Sequence, residues 1–198
     1  MTCRAVWGSL REVARAPTDG VVPVYALAAY RGVARRLVLA YKERGRRDLA
    51  ASLGGALAEA VPVLPGVLSV SSAEDSTTWL VPVPSRRVAA RVRGGPHMRR
   101  LARHCARSLA ETGRPAAVAP ALRLDAGVRD AVGLDRRQRV SNLAGRVSLQ
   151  PAGAPPAGAA VVLLDDVVTT GATAAVCARA LTDAGMVVTA VLSLTAAG

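Results

Sequence analysis

Thirteen consecutive residues toward the carboxyl end constrain this chain more than any other stretch: Val161-Val162-Leu163-Leu164-Asp165-Asp166-Val167-Val168-Thr169-Thr170-Gly171-Ala172-Thr173. Four aliphatics in a row suit a strand buried on both faces, as in a parallel sheet. The pattern predicts a strand over 160–164, a loop over 165–171, a helix over 172–184 and a second strand over 186–194. That strand–helix–strand unit needs parallel strands joined by a helical crossover. Strands alternate with helices over the rest of the chain as well, which argues for an open α/β fold.

Each part of the run has a use in holding a ligand. Open α/β sheets bind ligands outside the carboxyl ends of their strands, where this loop falls. Gly171 allows a tight backbone turn, and the free amides of a helix start can surround a phosphate. The hydroxyls of Thr169, Thr170 and Thr173 add donors and cap the helix. Asp165 and Asp166 would repel a plain phosphate. They make sense if the ligand also presents vicinal hydroxyls, for which carboxylates are good acceptors. A phosphate with a diol one sugar away describes a ribose 5-phosphate. Helix capping and turn formation would explain a lone Asp-Asp pair, but not the whole run. No G-x-x-x-x-G-K-S/T occurs, and no G-x-G-x-x-G follows a strand, which removes the rival phosphate motifs.

Composition bounds the partners. A chain of 198 residues, 51% apolar, is long enough to bury a core. We expect a short N-terminal segment over 1–20 and one domain over 21–198. Of the 26 basic residues only Lys42 is a lysine, and the formal net charge is +12. Such a balance favours phosphorylated metabolites or nucleic acid, although the bias of a GC-rich genome also supplies arginine. Aromatics make up 3% and Phe is absent, too few to interleave stacking platforms with the arginines. Cys3, Cys105 and Cys177 form no C-x-x-C pair, so neither a zinc ribbon nor a disulfide framework is expected, and no protein-held metal. Arg4, Arg11, Glu12 and Arg15 interrupt the first twenty residues, and no apolar run reaches the length of a membrane span. The expected location is cytoplasmic, with no membrane insertion.

Further strands are predicted over 21–28, 79–83, 117–124 (interrupted at Pro120) and 143–149, and helices over 32–44, 48–60 and 97–111. Residues 62–77 and 151–158 read as connectors, and a basic turn follows Pro84. The segment 125–142, charged and containing Gly127 and Gly133, reads as a mobile loop.

The run 161–173 resembles the signature of type I phosphoribosyltransferases for 5-phosphoribosyl-1-pyrophosphate (PRPP): two aliphatic pairs, two acidic residues and Thr-Thr-Gly-x-Thr. The resemblance implies an open, mainly parallel sheet with flanking helices and a small hood. It implies that Asp165 and Asp166 hold the ribose hydroxyls and that Thr169, Thr170, Gly171, Ala172 and Thr173 hold the 5-phosphate. Mg²⁺ would ride on the ligand's own oxygens. Three further blocks resemble, in order, those of the ComF family, named for members in DNA uptake during natural competence. They are Tyr30-Arg31-Gly32 with Tyr41-Lys42, then Val81-Pro82-Val83-Pro84 with Arg91, Arg93 and Gly94, then Gly133-Leu134 with Arg139 and Asn142.

In that reading Ser85, Arg86 and Arg87 bind pyrophosphate, and 125–142 closes over the site with Arg137 and Arg139 as catalytic candidates. The chain departs from the family in lacking the cysteine pairs of an N-terminal zinc ribbon. Gly95, Pro96 and His97 stand where an aromatic, Asn and Gln are frequent, and Ala131 stands in place of a Gln. Thr169 occupies the position of the acidic base of purine-salvage members, which disfavours hypoxanthine and guanine as acceptors. His97 suits either a general base or a structural role at a helix start, and His104 suits packing or surface. The expected reaction is phosphoribosyl transfer from PRPP to an acceptor with release of pyrophosphate. The alternative is a non-catalytic PRPP sensor or DNA-uptake scaffold, with single-stranded DNA or competence machinery as partner. A homodimer is among the expected assemblies.

Overall fold

The computed structural model describes residues 6–67, 77–85, 95–124 and 147–198. Chain order runs β1 (Arg11–Glu12), β2 (Val24–Ala29), α1 (Gly32–Glu43), α2 (Leu49–Ala60), β3 (Thr78–Pro82) and α3 (His97–Glu111). It continues through β4 (Ala116–Val118), β5 (Leu122–Leu124), β6 (Val147–Leu149), β7 (Ala160–Val168), α4 (Ala172–Thr182) and β8 (Val187–Ala196). The main sheet has the order β1-β2-β8-β7-β3-β4. Its neighbours are parallel except β1, which runs antiparallel to β2. The fold is therefore the open, mainly parallel α/β sheet with flanking helices that the residue pattern implies. A separate antiparallel pair, β5 with β6, stands apart from that sheet.

Two apolar layers cover the sheet, one on each face. Along β7, Val162 and Leu164 join the layer built with Val38 and Tyr41 of α1, Leu53 and Leu57 of α2, and Leu101 and Leu109 of α3. Val161 and Leu163 join the opposite layer, with Cys177 and Leu181 of α4 and Leu122 of β5. Period-two alternation in a strand buried on both faces explains why all four positions are aliphatic. Burying each such side chain contributes about 1.5–3 kcal/mol, so this strand is the axis of the fold.

Two expected strands differ in more than their end residues. The strand expected to stop at Leu164 continues to Val168, because β8 supplies partners beyond it: Asp165 lies opposite Ser193, Val167 opposite Thr195 and Val168 opposite Ala196. Asp165 and Asp166 thus belong to the strand, and the loop shrinks to 169–171. The strand expected over 117–124 divides into β4, paired with β3, and β5, paired with β6. Pro120 lies at the break, since it has no amide for a ladder bond. Of the strand expected over 143–149, Val147–Leu149 is observed, and positions 143–146 lie outside the described residues. The short β1 on the sheet edge has no hydrophobic alternation to announce it.

Candidate functional site

Sheet order places the crevice. From β3 the chain passes through α3 to β4 on one side, and from β7 it passes through α4 to β8 on the other. The carboxyl ends of β3 and β7 therefore flank the topological switch point, the usual ligand crevice of open α/β sheets. The strands are held together up to that edge, where the Val83 amide donates to the Leu164 carbonyl at 2.9 Å.

The loop 169–171 links β7 to α4 at this edge. Gly171 is the residue before the helix and has φ 79°, a left-handed conformation that glycine adopts without steric cost. Space excludes a side chain there too: a Cβ would lie 2.8 Å from Arg15 Cβ and 3.2 Å from Thr18 Cγ2. The expected threonine capping is narrower than the sequence suggests. Gly171 occupies the cap position with no side-chain cap, and only Thr170 Oγ1 accepts a start-of-helix amide, that of Ala172 at 3.3 Å. The remaining amides of the first turn have no acceptor within the helix and aim outward, as a phosphate would require. Arg15 braces the loop from behind. Its Nε donates to the Thr169 carbonyl at 2.6 Å, and its Nη2 donates to the Ala197 carbonyl.

The two aspartates do different things. The alternation of β7 carries them to opposite faces. Asp166 lies on the α1–α3 side and is buried, with Oδ1 accepting from Lys42 Nζ at 3.0 Å and Oδ2 from His97 Nε2 at 2.6 Å. Its backbone carbonyl accepts from Thr195 Oγ1 at 3.1 Å. Burial alone would raise the Asp166 pKa, but the His97 hydrogen bond and the Lys42 charge outweigh it and hold the carboxyl below its ordinary value. Asp165 is partly buried on the α4 side, and its charge helps push the Cys177 thiol upward. Among the described residues its side chain takes one hydrogen bond, from the Asp166 amide, which donates to Oδ1 at 2.8 Å. Burial, and then the neighbouring Asp166 charge, push Asp165 up to about 7. An acid raised this far at a sheet edge is the kind of perturbed group that clusters at functional sites.

His97 is itself buried and ringed by the same elements. Its carbonyl accepts from Tyr41 Oη at 2.7 Å, and the two rings meet edge-on with centroids 6.0 Å apart. Beside it lies a cavity of about 470 Å³. The end of β3 (Pro82, Ser85), the start of α3 (Pro96, Arg99) and the β5–β6 pair (Leu122, Arg123) line it.

Of the residues picked out by sequence, Asp165, Asp166, Thr169, Thr170, Gly171, Ala172 and Thr173 fall together at the carboxyl edge of β7, and Ser85 falls at the adjoining edge of β3. Arg86, Arg87, Arg137 and Arg139 lie outside the described residues, as does the segment 125–142. Sequence reasoning missed Arg15 and Lys42 as members of the site and left His97 between two roles. One signal for Lys42 was available: it is the single lysine in a chain whose other basic residues are all arginine. Arg15 had no signal, because nothing local shows that residue 15 meets residue 169.

No protein-family model matches this chain, and no curated protein matches it. Among solved structures it is similar to an orotate phosphoribosyltransferase from Aeropyrum pernix, at 19% identity and a TM-score of 0.33. That match covers 75% of this chain and 58% of the other, so the chain spans little more than half the length of that enzyme.

Proposed function

We propose that this chain binds PRPP at the switch-point crevice and transfers its phosphoribosyl group to an acceptor with release of pyrophosphate, as a ComF-like phosphoribosyltransferase. The observation that carries this reading is the pairing of the loop 169–171, opening a helix at Gly171, with a raised carboxylate at Asp165 on the same strand end. A helix start takes a phosphate, and a carboxylate near the end of the preceding strand takes sugar hydroxyls. Mg²⁺ enters on the oxygens of PRPP as part of the substrate. At the β3 edge Ser85 offers a hydroxyl donor toward the departing pyrophosphate, with Arg86 and Arg87 next in sequence. Donors there would stabilise the charge that develops as the leaving group departs.

The test is calorimetric titration with Mg²⁺-PRPP. The unmodified protein should bind, and the Asp165→Asn, Asp166→Asn double variant should lose affinity by at least tenfold, since charge-assisted hydrogen bonds contribute about 1.5–3 kcal/mol each. Equal affinity in a variant with normal circular dichroism would remove the assignment.

A second reading, a PRPP-sensing or DNA-uptake scaffold without turnover, has one observation in its favour: both oxygens of Asp166 are already taken by protein donors. Pyrophosphate release across a panel of acceptors separates the two. Binding with no release by any acceptor would select the scaffold.

A further inference from the structure

We propose that Asp165 alone receives the sugar diol, and that Lys42 and His97 are positioning residues that anchor Asp166 as the brace of the site. The inference rests on the PRPP reading for the identity of the ligand, but the anchoring itself stands on the contacts of the chain.

The geometry divides the pair. Adjacent strand residues face opposite sides, so the two carboxylates meet different surroundings within the chain. Asp166 faces the helical layer of α1 and α3, where Lys42 takes one oxygen and the buried His97 the other. An ionised carboxylate only accepts hydrogen bonds, so His97 Nε2 is the donor in that contact. With each oxygen holding a charged or ring N–H donor, Asp166 has its strongest partners inside the protein. Releasing it to a ligand would strand a partly buried ammonium and a buried imidazole, and leaving such partners unpaired is costly.

The arrangement also explains why these contacts are worth building. Lys42 sits in the last turn of α1 and His97 at the first residue of α3, so one carboxylate ties two helices to the end of β7. The same helix start carries Pro96, Met98 and Arg99 into the wall of the adjoining cavity. Asp166 thereby fixes the backbone from which Asp165 and the loop 169–171 project. Asp165 has just one intramolecular hydrogen bond among the described residues, from an amide, and keeps accepting capacity for a ligand.

Discrimination between ribose 5-phosphate and 2-deoxyribose 5-phosphate reads the diol directly, and thermal melting reads the brace. The full-length protein should prefer the ribo form. In Asp165→Asn the preference should fall to near unity with the melting temperature kept or raised. In Asp166→Asn, Lys42→Met and His97→Leu the melting temperature should drop and overall affinity fall, while the preference is retained. His97→Gln, whose amide can replace the Nε2 donor, should restore melting and affinity where His97→Leu does not. Loss of the preference in Asp166→Asn with its retention in Asp165→Asn would overturn the division. Failure of the unmodified protein to bind either sugar phosphate would overturn the diol role of Asp165 together with the PRPP reading. The anchor would then stand or fall on melting alone, and unchanged melting in both Lys42→Met and His97→Leu would overturn it.

Discussion

Asp165 is the carboxyl of the site whose ionisation the fold opposes. Its carboxyl moves from 3.8 to about 7 because burial removes water and Asp166 adds a like charge. A raised acid binds its proton more tightly in the folded chain than in the unfolded one. Between about pH 4 and pH 7 the native state therefore holds the extra proton, and stability from this group falls as pH rises through that window. Asp166 behaves oppositely: its depressed pKa adds stability above 3.8 that is lost as pH falls through its folded value. The expected outcome is that Asp165→Asn melts higher than the unmodified protein at pH 8, by a margin that narrows steadily as pH falls toward 4. Differential scanning calorimetry across that range checks the sign. An advantage that shrinks as pH rises would show that Asp165 is stabilised as the anion.

At the scale of elements, the site depends on how closely α2 and α3 cross, since α3 delivers His97. Gly54 on α2 is the contact point: a Cβ there would stand 2.6 Å from His104 Cβ and 3.0 Å from the Leu101 carbonyl oxygen. Alanine would gain about 1 kcal/mol of helix propensity. Overpacking against a Cβ and backbone atoms costs about 1–3 kcal/mol, so the loss prevails. Gly54→Ala should lower the melting temperature by up to roughly 8 °C and weaken PRPP binding through the displaced helix start. Melting unchanged or raised would mean that the helices separate without strain.

Over the whole molecule the dominant quantity is charge. A formal net charge of +12 attracts any polyanion through counterion release, with affinity falling steeply as salt increases. Stacking would be needed for strong single-strand binding, and aromatics form only 3% of the chain. At physiological salt we expect affinity for a single-stranded oligonucleotide no tighter than the ~1 µM typical of non-specific binding. Arg91→Ala with Arg93→Ala should change it little. Fluorescence anisotropy over a salt series decides this. Tight binding lost in that double variant, with PRPP binding kept, would favour the DNA-uptake scaffold. Among the described residues no helix is long and apolar enough to cross a membrane.

Local order made much of this protein legible in its sequence. The aliphatic run at 161–164 suits a strand buried on both faces, and Gly171 before helical spacing suits a tight turn into a helix. Those inferences need nothing beyond neighbours in the chain. Tertiary structure decided the rest, because the deciding partners are remote. Whether β7 stops at Leu164 or runs on to Val168 depends on Ser193, Thr195 and Ala196 in the adjacent strand. The two aspartates look equivalent as a dipeptide. They become different groups only because a strand turns them to opposite faces, where Lys42 lies 124 residues away and His97 lies 69 away. Those two donors hold Asp166 ionised against its burial, while burial without such donors raises Asp165. Sequence adjacency carries no trace of that distinction.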